Sequence, residues 1–195
     1  MPSVYLSPSM QGHHQYITGT GSEEYYMNLI ADAMIPYLRA GGITFCRNNP
    51  GMTLPQVITR SNEGNYHFHL ALHSNTAPEN LSGAIQGPDV YYYAESPAAM
   101  RAADIFANHL KSIYPNPNLV AAIPNNTLKE LKKTKAPAVL VELAYHDNIR
   151  DARWIAENIK PIAQRLSAAL AEFLMVPPSV SLQCFPDMRK NSLYT

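Results

Sequence analysis

The sequence predicts an α/β domain: a mostly parallel, twisted sheet of about six strands flanked by helices. Short apolar runs alternate with segments of helical spacing along most of the chain. With 195 residues, 46% of them hydrophobic, there is material for one sizeable core. Two of the apolar runs deliver a chemically active side chain. Phe68-His69-Leu70-Ala71-Leu72-His73 finishes on an imidazole, and Pro137-Ala138-Val139-Leu140-Val141-Glu142 finishes on a carboxylate. Ligands of open α/β sheets bind outside the carboxyl ends of the strands. A carboxylate there must be solvated, paired or at work.

The elements follow in order. Val4 to Leu6 reads as the first strand. Ser22 is suited to cap a helix whose first turn holds Glu23 and Glu24, where carboxylates complement the macrodipole. Tyr26, Leu29, Ile30, Ala33, Tyr37 and Leu38 keep helical spacing, and Gly41-Gly42 ends the helix. Ile43 to Cys46 is the second strand, with a buried thiol expected at Cys46. A short helix over Pro55 to Glu63 precedes the strand Phe68 to His73. Asp89 to Tyr93 is another strand, and Ser96-Pro97 opens a helix that runs to about Ile113. Leu119 to Ile123 is a strand, Leu128 to Lys133 a short basic helix, and the next strand ends at Glu142. Helices over Ile149 to Asn158 and Pro161 to Leu174 complete a domain of residues 1–175. The Pro-containing stretch 176–195 reads as a tail or truncated linker.

Lysine and arginine balance aspartate and glutamate, giving a formal net charge of zero. No overall field therefore draws in nucleic acid or anionic membrane. No apolar run is long enough to cross a bilayer, and no signal peptide is visible. Cys46 and Cys184 are too few for a disulfide scaffold and lack metal-site spacing.

His67, His69 and His73 lie on one strand face. His69 and His73 are about 13 Å apart along a straight strand, so at most one of the three can serve a given metal. The strand-end rule selects His73, leaving His67 and His69 as surface or core-packed imidazoles. The loop after the first strand carries His13-His14, and the helix it feeds carries Glu24. Macrodipole support accounts for Glu23. Together these residues offer His, Glu, His and a free glutamate. Catalytic zinc sites use three protein ligands and leave a position for water, with a nearby carboxylate as general base.

The residues resemble the zinc-dependent N-acetylmuramoyl-L-alanine amidases of the type 3 group, from Val4 to about Leu174. Glu24-Tyr25-Tyr26-Met27-Asn28-Leu29 resembles that family's Glu-x-x-x-Asn-Leu, and Leu70 to Asn75 resembles its Ser-Ile-His-Ala-Asn. Pro137 to Tyr145 resembles Pro-Ala-Val-Leu-Val-Glu-x-Gly-Phe, followed by the matching Asn148. The resemblance implies zinc ligation by His13, Glu24 and His73, with His14 the alternative to His13, and proton transfer by Glu142. It implies one Zn²⁺ per chain, with Asn75 and Tyr145 beside the substrate. Three departures stand out. Ser7-Pro8-Ser9-Met10-Gln11-Gly12-His13-His14 replaces Asp-Pro-Gly-His-Gly-Gly, Ala144 replaces the glycine, and Arg60 is displaced from the family's arginine. Arg47 is expected to form a structural ion pair.

The expected activity is hydrolysis of the amide between N-acetylmuramic acid and L-alanine in peptidoglycan, at the extracellular cell wall. The absent signal peptide suits phage-type release, another export route or a trimmed start. The rival readings are a zinc peptidase cutting within the stem peptide and a wall-binding module without turnover. Oligomeric state is not legible.

Overall fold

The computed structural model describes residues 1–175; the expected tail and Cys184 lie outside the described residues. Its elements are β1 (Ser3–Pro8), α1 (Glu23–Ala40), β2 (Thr44–Arg47), α2 (Leu54–Glu63), β3 (Phe68–Asn75), β4 (Asp89–Tyr93), α3 (Pro97–Lys111), β5 (Ala121–Asn125), α4 (Lys129–Lys133), β6 (Ala138–Tyr145), α5 (Ile149–Glu157) and α6 (Ile159–Phe173). They form one six-stranded sheet in the order β2-β1-β3-β6-β4-β5. All pairings are parallel except β4 with β6. The α/β class read from the sequence is the one observed.

Residue alternation along the strands divides the sheet into two faces. Val4, Leu6, Phe68, Leu70, Leu72, Val139, Val141 and Val90 point into the main core with α1, α3, α5 and α6. Phe68 stacks on Phe106 of α3 with ring centroids 5.7 Å apart. Truncating either ring to alanine removes roughly 3–5 kcal/mol. The opposite face is thinner: Ala71, Ala138 and Leu140 pack with Leu131 of α4. His69, His73, Glu142 and Asp89 share the parity of that face.

Local chemistry sets the helix ends. The Ser22 hydroxyl accepts from the Tyr25 amide at 3.2 Å, and Ser96 accepts from Ala99 at 3.2 Å. Gly42, at φ +64°, supplies the left-handed turn into β2. Some boundaries differ from expectation. A 3₁₀ turn at Pro117–Leu119 takes Leu119, expected to begin the strand, and β5 runs from Ala121 to Asn125. Strands β3 and β6 run past His73 and Glu142, to Asn75 and Tyr145. Their register shifts by one residue between those positions, and the extra residue falls near Ala144, whose φ is 151°. Cys46, expected to be buried, is a half-buried free thiol. No helix among the described residues is long and apolar enough to cross a membrane.

Candidate active site at the sheet edge

The loop between β1 and α1 is folded back onto the carboxyl edge of the sheet. Its Ser9 amide donates to Leu72 O at 2.9 Å, and Gln15 bridges Ser22. The Glu23 amide donates to His14 O at 2.8 Å, which holds the start of α1 against His14. Glu23 is 1% exposed, and each carboxylate oxygen faces a different imidazole. Oε2 lies 3.0 Å from His14 Nδ1 and Oε1 lies 2.8 Å from His73 Nδ1. The Ser74 amide also donates to Oε1, at 3.4 Å. Burial works against the charge on Glu23, but hydrogen bonding to His73, Ser9 and His14 and the charge of His73 hold its pKa below the usual carboxylate range.

Glu142 is the register partner of His73. Its Oε2 is shielded from solvent and has no hydrogen-bond partner among the described residues. Burial lifts its pKa from 4.5 to about 7; His73 opposes the lift, while Glu23 and Asp89 reinforce it. His73 itself moves up to about 9: burial disfavours its charge, but the Glu23 hydrogen bond and the charges of Glu142 and Glu23 outweigh burial. A carboxyl near neutrality beside an ion-paired imidazole is suited to accepting and returning a proton.

The structure brings His73 and Glu142 together as register partners near the carboxyl ends of β3 and β6. His13 and Glu24 do not join the cluster. His13 is exposed, its ring edge-on to His14 at 4.3 Å. Glu24 lies a helical step of about 100° beyond Glu23 and faces a groove lined by Ser22, Tyr25, Asn28, Leu29, Asp32 and Pro50. Gly12 passes so close that a Cβ there would lie 2.7 Å from Glu24 Oε2. Asn28 donates to Glu24 O and accepts from Arg47, which also pairs with Asp32. The Glu-x-x-x-Asn-Leu pattern thus serves the outer side of α1. The buried stripe of α1 does carry the missing signal. Leu38, Met34, Ile30 and Met27, stepped back by one more turn, lead to Glu23.

Asn75 is half-buried at the end of β3, with its Oδ1 accepting from Thr76 N at 2.9 Å. Tyr145 is 9% exposed and ends β6. Asn148 caps α5, accepting from the Arg150 amide at 3.0 Å, and donates to Gly83 O at 2.7 Å. His67 is exposed and pairs with Ser3. His69 is fully buried between Ser61 and Glu130, each at 2.9 Å, and Ser7 donates to the same Glu130 oxygen at 2.5 Å. That network joins α2, β3, α4 and β1 beneath the site. His146 was not singled out from sequence; it packs 5.6 Å from His14, ring to ring, with Nδ1 at 2.9 Å from Ser74 O.

Two imidazole nitrogens and a carboxylate are the donor types of a zinc centre with an open position. Among the described residues no group of three His, Cys, Asp or Glu side chains is already spread into a metal-ready arrangement. Glu23 instead closes the space between the imidazoles with hydrogen bonds.

The comparisons agree with this architecture. An N-acetylmuramoyl-L-alanine amidase from Clostridium difficile superposes with a TM-score of 0.78 at 14% identity, covering 89% of this chain and 97% of that one. An N-acetylmuramoyl-L-alanine amidase of Nostoc punctiforme gives 0.76 at 16% identity, covering 89% and 97%. The catalytic domain of an endolysin targeting Clostridia difficile gives 0.69 at 19% identity, covering 88% and 98%. At these identities the likeness is one of fold. No curated protein sequence matches the chain. The family model for N-acetylmuramoyl-L-alanine amidase matches residues 9–172. A match over most of the chain, on this fold, places the protein in the type 3 N-acetylmuramoyl-L-alanine amidase family, as an enzyme of that class.

Proposed function

We propose that this amidase is zinc-dependent and cuts the amide between the lactyl group of N-acetylmuramic acid and the L-alanine of the stem peptide. His14, Glu23 and His73 would hold the metal, with Glu142 as the proton-transfer group. The observation that carries this reading is Glu23: a carboxylate out of water, one imidazole on each oxygen, beside a second carboxylate whose buried Oε2 has no partner among the described residues. The donor set fits the group. Two nitrogens and one oxygen leave a coordination position free, and a cation there would compensate the two neighbouring carboxylates.

A bound zinc ion supplies a Lewis acid for the amide carbonyl and a water of lowered pKa. The remaining work belongs to the chain. Glu142 takes the proton of the attacking water and delivers it to the departing nitrogen of L-alanine. Burial suits it to both halves, since a carboxyl near neutrality holds and releases a proton with little bias. Asn75 and Tyr145, at the ends of β3 and β6, would border the substrate. The polymer is peptidoglycan and the place of action the cell wall.

The test is product analysis on purified peptidoglycan. A chelator should stop release and zinc restore it, with new amino termini on L-alanine and intact stem peptides. Glu142→Gln should keep its zinc and release nothing. New termini inside the stem peptide would favour a zinc peptidase instead. Wall binding without any release would favour a binding module.

A further inference from the structure

Strand β4 is antiparallel to β6, so its first residue arrives at the carboxyl edge of the sheet. That residue is Asp89, the register partner of Glu142. Opposed residues of an antiparallel pair point to the same face with Cβ atoms about 4.5–5.5 Å apart. Asp89 therefore flanks Glu142 on the side away from His73, which lies on β3 across β6. It is half-buried, and the Tyr91 hydroxyl donates to Asp89 Oδ2 at 3.4 Å. Tyr145 ends β6, three residues beyond Glu142. Asp89 takes part in no ion pair among the described residues.

We propose that Asp89, with Tyr91 and Tyr145, receives the new amino group of the stem peptide, so that substrate lies across the sheet edge with peptide over β4 and glycan over β1 and α1. This rests on the proton-transfer role of Glu142. The acyl carbon must lie toward His14, Glu23 and His73, and the nitrogen must lie toward the carboxylate that protonates it. Beyond Glu142 in that direction stands Asp89. In the reaction the water oxygen bonds to the acyl carbon and the carbon–nitrogen bond breaks. One water proton passes through Glu142 to the nitrogen, and the free amine then takes a proton from solvent to become an ammonium. That cation gains a carboxylate counter-charge in a partly desolvated place, where the Tyr91 hydroxyl bonds the carboxylate. Burial alone raises the pKa of Asp89; an arriving ammonium supplies the charge that the site lacks.

The experiment measures calorimetric binding of L-alanyl-γ-D-glutamate, which has a free amino terminus, and of its N-acetyl derivative. The wild-type protein should bind the free amine roughly tenfold more tightly than the acetylated peptide, the worth of a hydrogen bond to a charged group. Asp89→Asn should lose that preference, and Tyr91→Phe should weaken it while leaving the carboxylate in place. Thermal melts of both variants establish that they fold, and product inhibition of wall hydrolysis should weaken in parallel. Equal binding of the two peptides by the wild type, or an unchanged preference in folded Asp89→Asn and Tyr91→Phe, would overturn the inference. If the wild-type enzyme released no peptide from wall, the reading of the active site would fail instead.

Discussion

Glu142→Gln separates the two properties assigned to this carboxyl. Amide replaces carboxyl at nearly constant volume, so the variant imitates the protonated glutamate. The pKa of Glu142 stands at about 7 against 4.5 ordinarily. At about 1.36 kcal/mol per unit, the ionised form loses about 3 kcal/mol of folded-state stability. The group is only partly buried as a whole, so solvent returns some of this. The His73 imidazolium, held up to about 9, also loses a partner in the variant. A net gain of roughly 1–2 kcal/mol remains at pH 8, or about 3–6 °C in melting temperature. The sign follows from the folded pKa being raised. The stability of the protonated form is fully present below about 4.5 and lost as pH rises through about 7. The assay is thermal unfolding by near-ultraviolet circular dichroism in excess chelator, from pH 4.5 to 8. The variant and wild type should melt together at pH 4.5 and diverge through pH 7, the variant being the more stable. A constant difference across the range, or a less stable variant at pH 8, would refute the claim that burial of a charge sets this pKa.

Ala144→Gly should stabilise the protein by about 1 kcal/mol in chemical unfolding, because φ of 151° strains an alanine and not a glycine. Glu130→Ala should destabilise it by roughly 3–5 kcal/mol in the same assay, since His69 and Ser7 lose their buried acceptor. Arg47→Lys should change stability by less than about 1 kcal/mol, because its partner Asp32 is exposed and solvent screens the pair.

Much of this was legible in the sequence, for local reasons. Caps at Ser22 and Ser96, the Gly41-Gly42 stop and the apolar strands each carry their own instruction. His73 and Glu142 were legible because a polar side chain within an apolar strand has few places to go. The partners of His73 were less so. His13 and His14 differ by one position in a loop, and they are told apart by tertiary contacts: the Glu23 amide bonds His14 O and the Glu23 carboxylate bonds the His14 ring, whereas His13 is exposed. Glu23 and Glu24 are equivalent as helix-start carboxylates. The resemblance selected Glu24, through Asn28 and Leu29, whereas the phase of Met27, Ile30, Met34 and Leu38 leads to Glu23. That Asp89 begins a strand was legible, but its place beside Glu142 was not, because it depends on β4 running antiparallel to β6.

Metal content compared between neighbouring substitutions separates ligation by His14 and Glu23 from ligation by His13 and Glu24. Zinc is measured by elemental analysis after equilibration and desalting, in His13→Ala, His14→Ala, Glu23→Gln and Glu24→Gln. One zinc per chain is expected in His13→Ala and Glu24→Gln, as in the wild type, and loss of zinc in His14→Ala and Glu23→Gln. Full zinc in folded Glu23→Gln, or its loss in Glu24→Gln, would contradict ligation by His14 and Glu23.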